Sequence, residues 1–387
     1  MPIGGFPVVA GHEGAGTIVE LGSGLESSGL KVGDRVLLGF ASCMNCRGCQ
    51  EGSKGACDNI ALTNFGGTRG LEDTSIRRPD GDFIRGSVFG QSSFSKLAVC
   101  DVRAAVKYPG PVEDLSFLAP LGCGFMTGAG TVLDVLKPKT SDTVGILGLG
   151  AVGLTALMAA KSLNVAEIIA IDIVESRLEL AKSLGATHAL NGKSYKDVEA
   201  AIRETSARGV DFIVDTTGAT SMINSGIKAL AQQGTFAIVG TPMPGEHLSV
   251  EGMDMLIHCK KIIGVTGAYA NPQEVSLYSF LSKGVDIDYI SAYTAACENA
   301  SGWIVAYRWL MQVLSSNGDR PGNQRHEIGK GTICALPSFC NCLSYCSGYQ
   351  ASIGLVKLVS SNAFACFMIS ITPRQSGVVL FSSLRLR

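Results

Sequence analysis

The sequence predicts an α/β protein in which a mainly β N-terminal part precedes a parallel sheet covered by helices on both faces. Three observations carry this reading. Residues 1 to about 120 consist of short β-segments joined by Gly-rich turns. Residues from about 140 to 268 alternate apolar strands with amphipathic helical stretches, the rhythm of a parallel sheet. A Gly-rich turn, Gly148-Leu149-Gly150-Ala151-Val152-Gly153, separates the first of those strands from the helix that follows it.

In the N-terminal part, Thr17-Ile18-Val19, Arg35-Val36-Leu37-Leu38 and Lys96-Leu97-Ala98-Val99 read as strands. In the central part, strands are expected at 143–147, 167–171, 210–214, 235–239 and 261–265, with a shorter one at 188–190. A helix is expected at 154–163. Between the later strands, Leu178, Ala181 and Leu184 form one apolar stripe at helical spacing, and Val198, Ala201, Ile202 and Thr205 another. After about Val275 Ser becomes dense and periodicity fades. Segment 351–372 is the most apolar late stretch, but Lys357, Ser360, Ser361 and Asn362 interrupt it and argue against a membrane span.

Lys+Arg number 32 and Asp+Glu 33, so charge gives no reason to expect nucleic acid or an anionic membrane as partner. Met1 is followed by Pro2, Gly4, Gly5 and Pro7 rather than by a basic and then an apolar run, so a cytoplasmic location is expected. The 13 Cys are clustered rather than spread as a disulfide framework would be. In a reducing compartment such a cluster points to metal.

Cys43, Cys46, Cys49 and Cys57 have the spacing C-x2-C-x2-C-x7-C. Four thiolates suit a closed tetrahedral zinc with no open position, which is a structural site. Gly48, Gly52 and Gly55 let a short loop wrap the ion. Gly11-His12-Glu13-Gly14 offers a neutral imidazole, and Cys123 in Leu121-Gly122-Cys123-Gly124 offers a distant thiolate. Alone, each would read as packing; together they are candidate ligands of a second, catalytic zinc, with Glu13 beside or on the metal. Gly148, Gly150 and Gly153, set between strand and helix, match a dinucleotide-binding turn that seats a pyrophosphate at the helix N-terminus. Asp172 ends the next strand, where its carboxylate accepts from ribose hydroxyls and repels a 2′-phosphate. NAD is therefore expected over NADP. Arg177 either lines the adenine side or is an exposed helix charge.

These motifs together resemble the zinc-containing medium-chain alcohol dehydrogenases: GHEGAG, GDRV from Gly33 to Val36, the four-Cys lobe, PLGCG from Pro120 to Gly124, and GLGAVG. The match runs from about residue 6 to 275. Phe89-Gly90-Gln91-Ser92-Ser93-Phe94 together with PLGCG looks most like the aryl- or benzyl-alcohol branch. The resemblance implies a Rossmann doubly wound parallel sheet plus a GroES-like β-barrel catalytic domain lacking its N-terminal part. The domains so expected are 1–123 (catalytic, with zinc lobe 43–57), 124–275 (NAD-binding) and 276–387, a Ser- and Cys-rich tail. That tail reads more like translated non-coding or frame-shifted sequence than like a lineage-specific addition, and Cys340, Cys342 and Cys346 within it read as chance rather than as a metal motif. The implied reaction interconverts alcohols and aldehydes, with zinc lowering the pKa of the alcohol and hydride passing to NAD. The implied partners are a small alcohol or aldehyde and a second copy of the chain. Phe65 and Phe89 are candidates for the substrate pocket, with core packing as the plainer role.

Family members carry another zinc cysteine and a proton-relay residue ahead of the GHE motif, whereas here only ten residues precede Gly11. His12 and Cys123 are therefore expected to need Glu13 or a rearranged cysteine as third ligand. The competing reading is a catalytically silent protein that binds NAD and one structural zinc. Metal content separates the two, since the enzyme needs a second zinc.

Overall fold

The structure is a computed structural model that describes residues 8–66, 76–77, 83–110, 112, 115–269 and 378–383. The Cys340, Cys342 and Cys346 group and the apolar stretch 351–372 lie outside these residues. Among the described residues no helix is long and apolar enough to cross a membrane.

The N-terminal part holds β1 (Ala15–Leu21), β2 (Arg35–Leu38), the two-residue strands β3 (Ile76–Arg77) and β4 (Phe83–Ile84), β5 (Leu97–Asp101) and β6 (Ala105–Lys107). Its short helices are α1 (Arg47–Gln50) in the cysteine lobe and α2 (Ile60–Phe65) just after it. Strands alternate inward and outward residues, and Ile18, Val36, Leu38, Ala98 and Cys100 make the inner face. One strand comes from the far end of the chain: β13 (Val378–Ser383) lies between β1 and β5, antiparallel to both, giving the order β5-β13-β1-β2-β6. The sequence reading left 276–387 outside the family pattern and did not foresee this strand. Its physical role is plain, since without it the backbones of β1 and β5 would present unpaired edges.

The central part follows the expected rhythm closely. Its strands are β7 (Thr143–Leu147), β8 (Glu167–Asp172), β9 (His188–Asn191), β10 (Val210–Asp215), β11 (Leu230–Ile238) and β12 (Lys261–Gly264). They pair in the order β12-β11-β10-β7-β8-β9, every pair parallel. The order reverses at β7, the strand feeding the glycine turn, and at such switch points α/β sheets open a crevice for ligands. Helices α5 (Ala151–Ser162), α6 (Glu175–Ser183), α7 (Val198–Thr205), α8 (Thr220–Lys228) and α9 (Gly252–His258) cover the sheet. Leu178, Ala181 and Leu184 are buried as their spacing requires, as are Val198, Ala201 and Ile202, while Thr205 is half-buried. Asp197 caps α7 by accepting from the Ala200 amide. All five residues of β7 are buried, as expected of a strand covered on both faces.

Two further helices join the parts. α3 (Leu115–Leu118) leads by a 3-10 turn to Cys123, and α4 (Gly124–Gly130) starts there and continues as a π-turn over Thr131–Leu136. α4 lies against α5 at very short range. A Cβ on Gly128 would sit 2.0 Å from the Val152 carbonyl oxygen and 2.2 Å from Thr155 Oγ1, so only glycine permits the approach.

Candidate metal centres and dinucleotide site

The four lobe cysteines have their sulfurs within 4.8 Å of one another. Cys43 and Cys49 Sγ are 4.0 Å apart. A tetrahedron of thiolates around zinc, with bonds of about 2.3 Å, has edges of about 3.8 Å, so this donor set already has nearly the size the ion demands. The backbone amides of Cys43 and Asn59 both approach Cys57 Sγ at 3.4 Å. Arg103, held by Asp101 through Nε at 2.8 Å, reaches back to the Cys43 carbonyl at 3.2 Å. The thiols differ in acidity. The Asn45 amide, then Asn59, draw Cys43 down to about 6, whereas burial pushes Cys57 up to about 12 and also raises Cys49. Burial thus opposes the thiolate form of Cys49 and Cys57, and the charge of a cation beside them would offset it. Gly55 fits under the segment from Thr266 to Tyr269: a Cβ there would lie 2.1 Å from the Thr266 carbonyl oxygen and 3.0 Å from the Tyr269 backbone. The lobe is therefore seated on the end of the dinucleotide domain.

Donor atoms of His12, Glu13 and Cys123 also lie within 4.8 Å of one another, all half-buried. The end of β2 brings them together. The Leu38 amide donates to the Gly14 carbonyl at 2.8 Å, fixing the loop that carries His12 just ahead of β1. A Cβ on Gly122 would lie 1.8 Å from the Leu38 carbonyl oxygen, so Cys123 is delivered to the same strand end by a contact only glycine allows. Glu13 Oε1 accepts from the Gly124 amide at 3.1 Å, which ties the His12 loop to the first residue of α4. The Phe89 ring stacks on His12 with centroids 4.5 Å apart, and Phe65 meets Phe89 edge-on at 5.0 Å. Phe89 also packs on the small core of Phe40, Met126 and Ala268, the plainer of its two expected roles.

Cys123 is close to the glycine turn. A Cβ on Gly124 would be 3.8 Å from Ala151 Cβ and 3.9 Å from a Val152 methyl, the first two residues of α5. The three glycines of the turn do different work. Gly148 has φ +85°, which an L side chain resists, and a Cβ on it would meet Thr216 Oγ1 at 2.7 Å. A Cβ on Gly153 would overlap the Gly148 carbonyl oxygen at 1.8 Å, so Gly153 lets α5 close on the turn. A Cβ on Gly150 would meet nothing within 4 Å. Gly150 is also the N-cap of α5, with no side-chain cap on the free amides. An open cradle at an uncapped twelve-residue helix is what a pyrophosphate requires.

Asp172 is buried, with 7% exposure. Its Oδ2 accepts from Leu149 N at 2.7 Å, and its Oδ1 from the Ile173 and Val174 amides at 2.7 and 2.9 Å. The carboxylate is thereby locked beside the glycine turn, with one acceptor position on Oδ2 left over from these three amides. Arg177 lies 3.6 Å from Asp172 Oδ2 and is one-third exposed, so it is paired with the expected ribose acceptor. Sequence reasoning missed several supports. Asp215 accepts from Thr217 N and Oγ1 and from Gly218 N, and burial raises its carboxyl above the usual range. It thus holds the 216–218 turn against Gly148. Gln91 and Arg103 were also missed, because each acts on backbone carbonyls far away in sequence, which leaves no local signature.

The fold sets a mainly β part, which carries the four-cysteine group and His12, beside a parallel α/β sheet that carries the glycine turn, the organisation of the two-part zinc dehydrogenases. A family model described as an alcohol dehydrogenase GroES-like domain matches residues 1–110, and one described as zinc-binding dehydrogenase matches 151–282. A geraniol dehydrogenase of Castellaniella defragrans is 36% identical over 268 residues, covering 69% of this chain and 71% of that protein. A probable alcohol dehydrogenase of a Pseudomonas species is 36% identical over 239 residues, 61% of this chain and 74% of that one. Among solved structures, a benzyl alcohol dehydrogenase of Acinetobacter calcoaceticus aligns with a TM-score of 0.66 at 34% identity, over 78% of this chain and 83% of that one. An alcohol dehydrogenase zinc-binding domain protein of Burkholderia ambifaria aligns with a TM-score of 0.69 at 35% identity, over 77% and 82%. The chain belongs to the zinc-containing medium-chain alcohol dehydrogenase family.

Proposed function

We propose that this chain oxidises primary alcohols to aldehydes, and reduces them back, with NAD, using a zinc held by His12, Cys123 and Glu13, while a second zinc in the four-cysteine lobe is structural. The observation that carries the reading is the convergence of the donor atoms of those three side chains within 4.8 Å, with Cys123 next to Gly124, which lies against the first residues of α5. Zinc bound there would acidify the alcohol, and NAD would accept hydride from its carbinol carbon.

The chain's own residues supply the rest. His12 and Cys123 present one neutral and one anionic donor, a mixed set suited to zinc. Glu13, anchored by the Gly124 amide, is near enough to complete the set or to move off and open a position. Phe89 stacks on His12 and Phe65 meets Phe89 edge-on, an aromatic wall that would shield this side of the site from water. Such a wall accepts an aryl or other unsaturated alcohol, in keeping with the benzyl alcohol and geraniol named for two relatives. The Gly150 cradle takes the pyrophosphate, and Asp172 takes the ribose while disfavouring a 2′-phosphate.

The test is oxidation of benzyl alcohol by the purified zinc-loaded chain, followed by NADH absorbance with NAD and then with NADP. NAD-dependent turnover that disappears in Cys123→Ser is expected. Equal turnover in that variant contradicts the ligand assignment, and preference for NADP contradicts the role of Asp172. A chain that binds NAD and the lobe zinc without turnover would instead be the silent relic.

A further inference from the structure

We infer that Gln91 is a positioning residue for the metal site: its side-chain amide holds the His12 backbone to the end of β2, so that His12 and Glu13 meet Cys123. This rests on the zinc reading of His12, Glu13 and Cys123 given above. Gln91 is fully buried. Its Nε2 donates to the His12 carbonyl at 2.9 Å and to the Gly39 carbonyl at 3.0 Å. Both neighbours are acceptors, so the NH2 end must face them and the amide has one orientation. Its Oε1 has no partner among the described residues, which is a costly state for a buried acceptor. A residue retained only to fill space would avoid that cost. What Gln91 provides, and an apolar side chain of the same size cannot, is two donors joining two carbonyls.

The surrounding geometry makes the same point. Four successive carbonyls leading into the metal site are each held by the segment 91–94: Val9 by Ser92 Oγ at 2.6 Å, Ala10 by Phe94 N at 3.0 Å, Gly11 by Ser93 N at 3.0 Å, and His12 by Gln91. The last of these is the only one made by a long side chain, and it alone reaches across to β2. The segment reaches this arrangement with left-handed backbone at two non-glycine residues, Phe89 (φ 52°) and Ser92 (φ 48°), a conformation kept where surroundings demand it. The result is a clamp: Phe89 stacks on the imidazole while Gln91 holds the carbonyl of the same residue. Because Gly122 packs on the neighbouring Leu38 carbonyl, both halves of the donor set are registered to one strand end.

The test compares wild type with Gln91→Met, which is nearly isosteric without donors, and Gln91→Glu, whose carboxyl, even protonated, offers one donor where the amide offers two. Zinc per chain and the affinity of the weaker zinc are measured by chelator competition. Cobalt substitution reports the geometry at Cys123 through its sulfur-to-metal absorption, and calorimetry reports NAD binding. Loss of outer support typically weakens metal binding ~10- to 100-fold. Both variants are expected to keep the lobe metal and NAD affinity, to lose the second metal to that degree, and to show an altered cobalt spectrum. Gln91→Met with wild-type affinity for the second metal and an unchanged spectrum would overturn the inference. So would loss of both metals together with unfolding in both variants, which would assign Gln91 to folding alone. Wild type that takes up the lobe metal only is a different outcome: it would overturn the zinc reading itself, and the inference with it.

Discussion

The Gly150→Ala variant separates the dinucleotide reading from ordinary helix capping. Gly150 has φ −77° and ψ −168°, a conformation alanine adopts freely, and its Cβ would meet nothing within 4 Å. Reduced freedom of the unfolded chain favours alanine by about 0.4–1 kcal/mol, and the poorer N-cap costs a comparable amount, so the two nearly cancel. Folding stability should therefore change by less than about 1 kcal/mol. The methyl group nevertheless projects into the space where the pyrophosphate must lie against the α5 amides, and each tenfold loss of affinity corresponds to about 1.4 kcal/mol. We expect NAD affinity to fall at least ~10-fold, since pushing the phosphates off their amide donors removes charge-assisted hydrogen bonds of about 1.5–3 kcal/mol each. Gly153→Ala is the counterpart. Its Cβ would overlap the Gly148 carbonyl oxygen at 1.8 Å, and overpacking of this kind costs about 1–3 kcal/mol of stability or more. The assays are thermal or urea unfolding of the apo chain and calorimetric titration with NAD. Wild-type NAD affinity in a stable Gly150→Ala protein would refute the placement of the pyrophosphate.

Three other outcomes are expected. Asp172→Ala should weaken NAD and relax discrimination against NADP, because the carboxylate that repels a 2′-phosphate is gone; unchanged affinity for both cofactors would count against it. Cys46→Ser should release the lobe zinc and lower the thermal midpoint, whereas retained zinc and stability would contradict a structural role. Asp254→Asn should cost about 2 kcal/mol near neutral pH, since the carboxylate accepts from the buried Lys260 at 2.8 Å. Burial raises the Asp254 carboxyl, but Lys260 and His258 outweigh it and hold the value below the ordinary 3.8. Its stabilisation is therefore whole above that value and is lost as pH falls through the depressed one. Urea unfolding should thus show the two proteins converging in acid, and a gap independent of pH would refute the pairing.

The central sheet was legible because its inner strands β7, β8 and β10 are buried apolar runs and α6 and α7 carry apolar residues at helical spacing, so the alternation placed β7 through β12 to within about five residues. The grouping of the candidate donors was legible through residue type and spacing, since four cysteines within fifteen residues from Cys43 to Cys57 are expected to converge on one ion. The supports were not legible. Gln91 acts on the carbonyl of His12, 79 residues away, and Lys260 on carbonyls at the end of α8. A bond to a carbonyl leaves no mark on the partner's identity, so sequence pattern cannot show it. Arg177 remained open for a related reason, because whether a helix charge faces solvent or an acid depends on the height of the neighbouring strand. β13 escaped because a short Val-Val-Leu-Phe run carries no sign of which sheet will take it.

Crystals of the zinc-loaded protein, with diffraction recorded on both sides of the zinc absorption edge, test the core claim most directly. Two anomalous peaks are expected, one among the four lobe sulfurs and one about 2.0–2.3 Å from His12 nitrogen and Cys123 Sγ. A peak in the lobe alone, at full zinc occupancy, would contradict it.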